Sequence, residues 1–429
     1  MEYQNTLEFA LQMDEQDALK HFRDKFLFPQ HNGRDVIYLC GNSLGLQPKS
    51  ASKYLQEQLD SWHRLGVEGW FDGDDPWLSY HHKLTVTLSG IVGAKKEEVT
   101  VMNSLTVNLH LLLVSFYKPT GNRYKIIMEA GAFPSDQYAV ESQVKFHGYD
   151  PKAAVIEIHP RNGEHTLRTE DIIKTIQDNA DETALVLFSG INYYTGQFFD
   201  MPAITKAAHK AGAIAGFDLA HAAGNVKLEL HNWGVDFACW CSYKYMNSSP
   251  GGISGIFVHE KHFGDNSLDR FAGWWGYRQD KRFLMAPGFD GATGAEGWQV
   301  STSPIMLMAL HKASLDIFEE AGSIDILRSK GDRLTGYLEF LLNKINAELS
   351  YELFEIITPS DVTQRGSQLS VVCSKRAKDI FKYLTQNGVI GDWREPNVIR
   401  LSPVPLYNSF KDVFECGRIL VAAITELGL

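Results

Sequence analysis

Two side chains of opposite charge follow neighbouring strands of the predicted sheet. Asp218 comes directly after the apolar run at residues 213–217, and Lys244 follows the next run, 236–240, 26 residues further along the chain. The carboxyl ends of parallel strands meet at one edge of a sheet, so we expect the two groups to lie close together. A desolvated lysine is a usable amine nucleophile, and a carboxylate beside a pyridine nitrogen keeps that nitrogen protonated. The pair therefore fits a pyridine-ring cofactor, with a structural ion pair as the alternative.

The loops around these residues have the composition of a phosphate site. Gly251 and Gly252 follow Lys244 closely, and glycine lets the backbone approach a ligand. Residues 103–106 link a strand at 98–102 to a helical run, and residues 133–136 begin the helix that follows the next strand. Free N–H groups at a helix N-terminus bind phosphate. For either segment alone, ordinary helix capping or core packing is the alternative.

The elements that must position these residues alternate between strand and helix. Helical periodicity covers residues 135–146, 169–179 and 202–211. Strands joined by crossover helices predict an α/β fold, with a large domain built on a mostly parallel seven-stranded sheet covered by helices. The seven predicted strands are 36–39, 125–128, 154–158, 184–188, 213–217, 236–240 and 256–259.

The pattern changes after Pro304, where a smaller C-terminal α+β domain is predicted. Its predicted elements are helical residues 305–345, strands near 353–357 and 368–373, a helix at 375–387, a strand at 398–401 and a helix at 409–427. We expect three parts: an N-terminal arm at 1–50 that belongs to the small domain, a large cofactor-binding domain at 51–304, and the small domain at 305–429.

Composition excludes several classes of partner. The 429 residues carry 41 Lys+Arg against 52 Asp+Glu, a formal charge of −11, so we expect neither nucleic acid nor membrane as a partner. No apolar stretch reaches the ~18 residues of a membrane span, and we expect no secretion signal. The five cysteines follow no disulfide framework, which predicts a cytoplasmic protein. We expect no metal, because the His and Cys spacing matches no metal motif.

Seven longer segments carry a resemblance to a known family. They are residues 38–48, 102–110, 132–136, 188–197, 216–222, 233–244 and 399–409. In these segments the sequence closely resembles the kynureninase family, and the matches extend over nearly the whole chain. The resemblance implies the PLP-dependent transferase fold type I, with pyridoxal 5'-phosphate (PLP) as cofactor.

The resemblance also implies a role in cofactor binding for each matching residue. Lys244 would carry PLP on its amine, Asp218 would hold the pyridine nitrogen, and Phe133 would lie against the ring. Trp274 and Thr302 would reach the phosphate from the neighbouring subunit, which implies a homodimer with shared active sites. The other implied cofactor contacts are Leu105, Thr106, Pro134, Ser135, Asp136, Ser189, His221 and Tyr243.

The reaction implied by the resemblance is hydrolysis of L-kynurenine to anthranilate and L-alanine, in tryptophan degradation or NAD synthesis. 3-Hydroxy-L-kynurenine is the alternative substrate. Arg400 would anchor the α-carboxylate, with Asn42 and Ser43 beside it. Tyr194 matches a tyrosine that moves a proton during cleavage. Trp70 matches a position where Trp accompanies a preference for kynurenine and His a preference for the hydroxylated substrate.

Two other functions stay open on the sequence alone. A cysteine desulfurase of the same fold would need a nucleophilic cysteine on a mobile loop. Cys373 lies in an apolar predicted strand and Cys416 in a predicted helix, so neither fits that role well. A non-catalytic protein of this fold would have lost Lys244 or Asp218, and both are present.

Overall fold

The computed structural model describes residues 2–265 and 267–429. The helices are α1 (Leu7–Glu15), α2 (Ala51–Leu65), α3 (His82–Val92), α4 (Leu105–Phe116), α5 (Pro134–Phe146), α6 (Pro151–Ala154), α7 (Thr169–Asp178), α8 (Met201–Lys210), α9 (Ile305–Ala321), α10 (Ile324–Glu348), α11 (Ala377–Gln386) and α12 (Phe410–Leu427). The strands are β1 (Phe26–Leu27), β2 (Gln30–His31), β3 (Arg34–Asp35), β4 (Ile37–Tyr38), β5 (Gln47–Pro48), β6 (Val99–Val101), β7 (Lys125–Glu129), β8 (Val155–Ile158), β9 (Thr183–Ser189), β10 (Ile214–Asp218), β11 (Phe237–Trp240), β12 (Gly255–Val258), β13 (Phe354–Ile356), β14 (Leu369–Cys373), β15 (Val389–Ile390), β16 (Asp392–Arg394) and β17 (Val398–Leu401).

A seven-stranded sheet forms the centre of the larger body. Its strand order is β6-β12-β11-β10-β9-β7-β8. Strands β8, β7, β9, β10 and β11 are parallel to one another, and β12 pairs antiparallel with both β11 and β6. The predicted seven-stranded, mostly parallel sheet is therefore confirmed, with β12 as a reversed strand.

Apolar side chains cover both faces of this sheet. Along β9, Leu185 and Leu187 pack with residues of α4 and α5, while Val186 and Phe188 enter the core on the other face. A strand buried on both faces is apolar throughout, which is why these strands show no alternation in the sequence. In β10, a Cβ at position 216 would lie 2.1 Å from the neighbouring Phe237 ring, so this position requires glycine.

One predicted strand of the large sheet belongs elsewhere. The prediction that residues 36–39 join this sheet is wrong, because β4 pairs in parallel with β15 of the smaller body. The seventh place in the large sheet is taken by β6, which lies at the edge against β12. A short apolar run has the same pattern in either sheet, and only its distant partner decides where it pairs.

The smaller body is built on a four-stranded antiparallel sheet of order β13-β14-β17-β16. Helices α10 and α12 pack together beside it, and its core includes Ala10, Met13 and Leu39 from the N-terminal part of the chain. Helix α9, in contrast, packs on α2 and α3 of the larger body. The predicted C-terminal α+β unit is present, and the domain boundaries stay a prediction.

Within the described part of the chain, every helix is too short or too polar to cross a bilayer.

Candidate active site

A cavity lies at the carboxyl ends of the parallel strands, where ligands of open α/β sheets bind. Strands β9 and β10 end at its wall, and the loop after β11 and residues of the small sheet complete it. Predicted site residues converge there from segments far apart in the sequence. Those that line the cavity are Asn42, Ser43, Leu105, Thr106, Phe133, Ser135, Asp136, Ser189, Asp218, His221, Tyr243, Lys244 and Arg400.

Lys244 and Asp218 are held in this cavity by different elements. Asp218 is the last residue of β10 and is buried, with its Oδ1 accepting a 2.7 Å hydrogen bond from the backbone N–H of Ala220. Lys244 follows β11 by four residues, and its Nζ lies 3.0 Å from Nε2 of His221. Burial and the charge of Lys244 lower the pKa of His221 well below its ordinary range. His221 is therefore a neutral neighbour of the lysine amine.

Two helices begin at the wall of the cavity. Helix α4 begins at Leu105 and α5 at Pro134, and neither N-terminus is capped by a side-chain hydrogen bond from its flanking residue. The hydroxyls of Thr106 and Ser135, one from each helix start, lie 2.7 Å apart. Uncapped N–H groups and hydroxyls at two converging helix starts are the donors that an anion such as phosphate requires.

Three carboxyl groups cluster at the base of the cavity. Burial raises the pKa of Asp218, and burial together with the nearby Asp218 raises that of Asp136 well above its ordinary range. Glu129, the last residue of β7, is fully buried behind Ser189 and accepts hydrogen bonds from the hydroxyl and the backbone N–H of Ser189. Burial raises the pKa of Glu129 to about 7. Burial therefore disfavours full ionisation of the cluster, and a nearby cation favours it.

The small sheet contributes a cationic wall. Arg400 on β17 is buried, and its Nη1 donates to the backbone oxygen of Tyr193 over 2.6 Å. Its Nη2 lies 2.7 Å from Oδ2 of Asp392 on β16. A guanidinium fixed in this way presents its remaining donors in a planar arrangement that matches a carboxylate.

Five predicted site residues lie outside this cavity. Tyr194 is half-buried next to Tyr193, with the ring centroids 6.2 Å apart, and it is Tyr193 that lines the wall. Pro134 forms the first turn of α5 without facing the cavity. Trp70 packs against Trp77 and Trp275, with ring centroids 5.5 and 5.6 Å away. The other two are Trp274 and Thr302, in the segment that precedes α9.

Some residues at the site were missed in the sequence. Glu129 ends a strand in the same way as Asp218, so the rule that found Asp218 could have found it. Arg394 lines the cavity from β16, a strand of three residues that has no recognisable pattern. Tyr193 lies in a loop, where the sequence gives no sign of which of two adjacent tyrosines faces inward.

Two groups of His and Glu side chains also come together away from this cavity. One contains His81, His82 and Glu296, and the other Glu98, His231 and His259. One pair in each group is hydrogen-bonded: His82 with Glu296 over 2.8 Å, and His231 with Glu98 over 2.9 Å. Sequence spacing could not predict either group, because its members come from distant segments.

The cysteines of the small body lack the properties of a nucleophile. Cys373 and Cys416 are buried, and burial raises the pKa of each thiol to about 12. A thiolate is the reactive form of cysteine, so neither residue suits persulfide chemistry.

Solved structures share this architecture. A cysteine desulfurase from Thermococcus onnurineus NA1 has a TM-score of 0.74 at 17% identity, with 92% of this chain and 95% of that chain covered. A C-DES mutant with glycine covalently linked to its PLP cofactor has a TM-score of 0.75 at 15% identity, covering 90% and 96%. At such identities the likeness shows the fold alone. This chain therefore has the fold of these structures, the PLP-dependent transferase fold of type I.

Relatives of much higher sequence identity identify the family. A kynureninase from Flavobacterium psychrophilum is 58% identical over 99% of this chain and 100% of its own length, and one from Mus musculus is 47% identical over 97% and 92%. The model of the kynureninase C-terminal domain matches residues 327–420. The chain belongs to the kynureninase family.

Proposed function

We propose that this protein uses PLP to hydrolyse L-kynurenine to anthranilate and L-alanine, within tryptophan degradation. The observation that carries the proposal is the presence of Lys244, Asp218 and Arg400 in one cavity of a chain from the kynureninase family. These groups combine an amine, a partner for a pyridine nitrogen and a carboxylate anchor. No single one of them would define the reaction.

The residues of the cavity fit PLP. Oδ1 of Asp136 and Nδ1 of His221 are buried without a hydrogen-bond partner in the described part of the chain, and such atoms require a polar ligand. The starts of α4 and α5, with Thr106 and Ser135, would hold the phosphate. Phe133 would contact the ring face, because its ring already lies 5.9 Å from Nζ of Lys244.

Three side chains of the cavity have distinct roles in the proposed reaction. Bound PLP supplies an electron sink for the carbanion at the substrate Cα. Asp218 would keep the ring nitrogen protonated, and the carboxylate cluster would be stabilised by that positive charge. Lys244 holds the cofactor and moves the proton at Cα, next to the neutral His221. Arg400 fixes the α-carboxylate and so holds the γ-carbonyl of the substrate in the cavity. Water adds to that carbonyl carbon, the bond between Cβ and Cγ breaks to release anthranilate, and Cβ takes up a proton to give L-alanine.

The test is a direct assay of the purified, PLP-loaded protein. L-Kynurenine and 3-hydroxy-L-kynurenine are supplied separately, and release of the fluorescent anthranilates and of L-alanine is measured. We expect turnover of L-kynurenine and its loss in Lys244→Arg. A PLP-loaded protein that releases neither product from either substrate would refute the proposed function.

We further propose that the protein is a homodimer in which Trp274 and Thr302 complete the cavity of the partner. An apolar surface patch around Trp274 supports this proposal. Phe271, Phe283, Leu284 and Met285 are all more than 45% exposed, and burying such a patch against a second copy is favourable.

Subunit mixing tests this arrangement. Lys244→Ala lacks the amine in its own cavity, and Trp274→Ala lacks the residue offered to the partner. If Trp274 acts across the interface, a mixed dimer of the two variants contains one complete site, so mixing restores activity that neither variant has alone. Failure to restore activity, with mixed dimers shown by mass photometry or tagged co-purification, would contradict the shared site.

A cytoplasmic location is part of the proposal. All five cysteines are free thiols, which supports a reducing compartment. Cell fractionation with an antibody to the chain measures the location directly, and recovery in an oxidising compartment would contradict it.

A further inference from the structure

Two arginines of the small sheet share one carboxylate at the cavity wall. Asp392 and Arg394 lie on β16, and Arg400 lies opposite Asp392 on the paired strand β17. Oδ1 of Asp392 lies 3.0 Å from Nε of Arg394 and 3.2 Å from Nε of Arg400. Its Oδ2 lies 3.3 Å from Nη2 of Arg394 and 2.7 Å from Nη2 of Arg400. Both guanidinium groups therefore face the same anion.

This arrangement leaves one positive charge unmatched. Two cations surround a single carboxylate, and burial raises the pKa of the other two carboxyl groups that line the cavity, Asp136 and Asp218. The field of the two arginines extends across the cavity, since both contribute to the lowered pKa of His221. An excess positive charge in a partly buried wall favours binding of an anionic ligand.

The two arginines differ in how much of each is already engaged. Arg400 is 1% exposed, and its Nε, Nη1 and Nη2 all contact Asp392 or the backbone oxygen of Tyr193. The Arg394 side chain is 35% exposed. Within the described part of the chain, Nη1 of Arg394 makes no hydrogen bond, and its buried Nε makes none of good geometry. Arg394 therefore retains more free donors than Arg400.

We propose that Arg394 is a second ligand of the substrate carboxylate, which lies between Arg394 and Arg400. The proposal rests on the proposed function, because it assumes an α-amino acid substrate. The bound carboxylate completes an alternating row of charges: Arg394 and Arg400 each contact Asp392 on one side and the substrate on the other. Planar guanidinium groups suit a carboxylate because they donate two parallel hydrogen bonds to it.

The test separates carboxylate binding from turnover. L-Alanine and ethylamine, which differ by the carboxylate, are titrated into the PLP-loaded enzyme, and the visible absorbance of the cofactor reports binding. We expect Arg394→Gln to weaken L-alanine binding about tenfold or more, the contribution of one charge-assisted hydrogen bond, and to leave ethylamine binding unchanged. The control is Arg161→Gln, which removes an exposed arginine that also pairs with an aspartate, Asp171.

A second comparison distinguishes a direct contact from an effect through Asp392. If Arg394 acts only by neutralising Asp392, Arg394→Lys restores L-alanine binding, and Arg394→Gln has no effect in an Asp392→Asn background. If Arg394 contacts the carboxylate directly, Arg394→Lys does not restore L-alanine binding, and Arg394→Gln still weakens it in the Asp392→Asn background. If Asp392→Asn fails to bind PLP, the lysine variant alone decides between the two explanations.

The outcomes are distinguishable from those of the proposed function. Unchanged L-alanine binding in Arg394→Gln, or equal weakening of L-alanine and ethylamine, overturns the role of Arg394 even if kynurenine is hydrolysed. If Arg394→Gln weakens binding of L-alanine but not of ethylamine, and Arg394→Lys does not restore it, the role of Arg394 is established even if kynurenine proves not to be the substrate.

Discussion

Replacing Glu129 by glutamine isolates the energetic cost of the buried carboxyl cluster. Burial raises the pKa of Glu129 from 4.5 to about 7 in the folded protein. Between these values the unfolded chain has released the proton and the folded chain retains it, so stability falls as pH rises. The pKa shift corresponds to about 3 kcal/mol of unfolding free energy, and the protein has lost all of this stability only above pH 7.

Glu129→Gln removes this pH dependence while keeping an oxygen that accepts the N–H and hydroxyl of Ser189. The difference in unfolding free energy between the variant and the wild type should therefore change by about 3 kcal/mol in favour of the variant as the pH rises from 4.5 to 8. Urea unfolding of the cofactor-free protein, followed by tryptophan fluorescence at several pH values, measures this difference. Glu97→Gln, which changes an exposed glutamate, is the control.

A difference between Glu129→Gln and wild type that is the same at every pH would refute the reasoning. Loading with PLP gives a second check. The protonated ring nitrogen at Asp218 places a cation beside the cluster, which favours the ionised form of Glu129. The advantage of the variant at pH 8 should therefore shrink in the loaded protein.

Three further substitutions test other parts of the structure. Arg400→Lys should raise KM for L-kynurenine at least tenfold, because lysine cannot donate two parallel hydrogen bonds, and an unchanged KM would contradict the anchor. Trp70→His should shift the ratio of kcat/KM values towards 3-hydroxy-L-kynurenine, measured with both substrates on one preparation; an unaltered ratio would remove Trp70 from substrate selection. Gly216→Ala should lower the unfolding free energy by about 1–3 kcal/mol, since the new Cβ meets the Phe237 ring, and Phe237→Leu should partly restore it.

The chemistry at the strand ends was largely predictable from the sequence. Asp218 and Lys244 follow apolar runs whose length identifies them as buried strands, and the position of a strand end in a parallel sheet fixes where its next residues meet. Glu129 satisfies the same rule and was overlooked.

Features that depend on distant pairing were not predictable in this way. The partner of β4 is β15, and the positions of Arg394 and Asp392 depend on a three-residue strand whose pattern is too short to recognise. Which of Tyr193 and Tyr194 faces the cavity is decided by loop geometry. Local patterns indicate strands and helices, whereas pairing between distant short strands depends on the complete tertiary structure.

Hydrogen bonds between the N-terminal and the C-terminal parts of the chain affect how the protein folds during synthesis. Ile37 donates its N–H to the oxygen of Gly388 over 2.8 Å, and Asp14 accepts the backbone N–H of Phe410 over 2.6 Å. The segment that contains Asp14 and Ile37 must therefore wait for residues 388–410 to be synthesised before its apolar side chains are buried. Contacts this distant in sequence form slowly, and exposed apolar segments bind chaperones in the interval. We therefore expect the N-terminal arm, rather than the central sheet, to limit the yield of folded protein during expression.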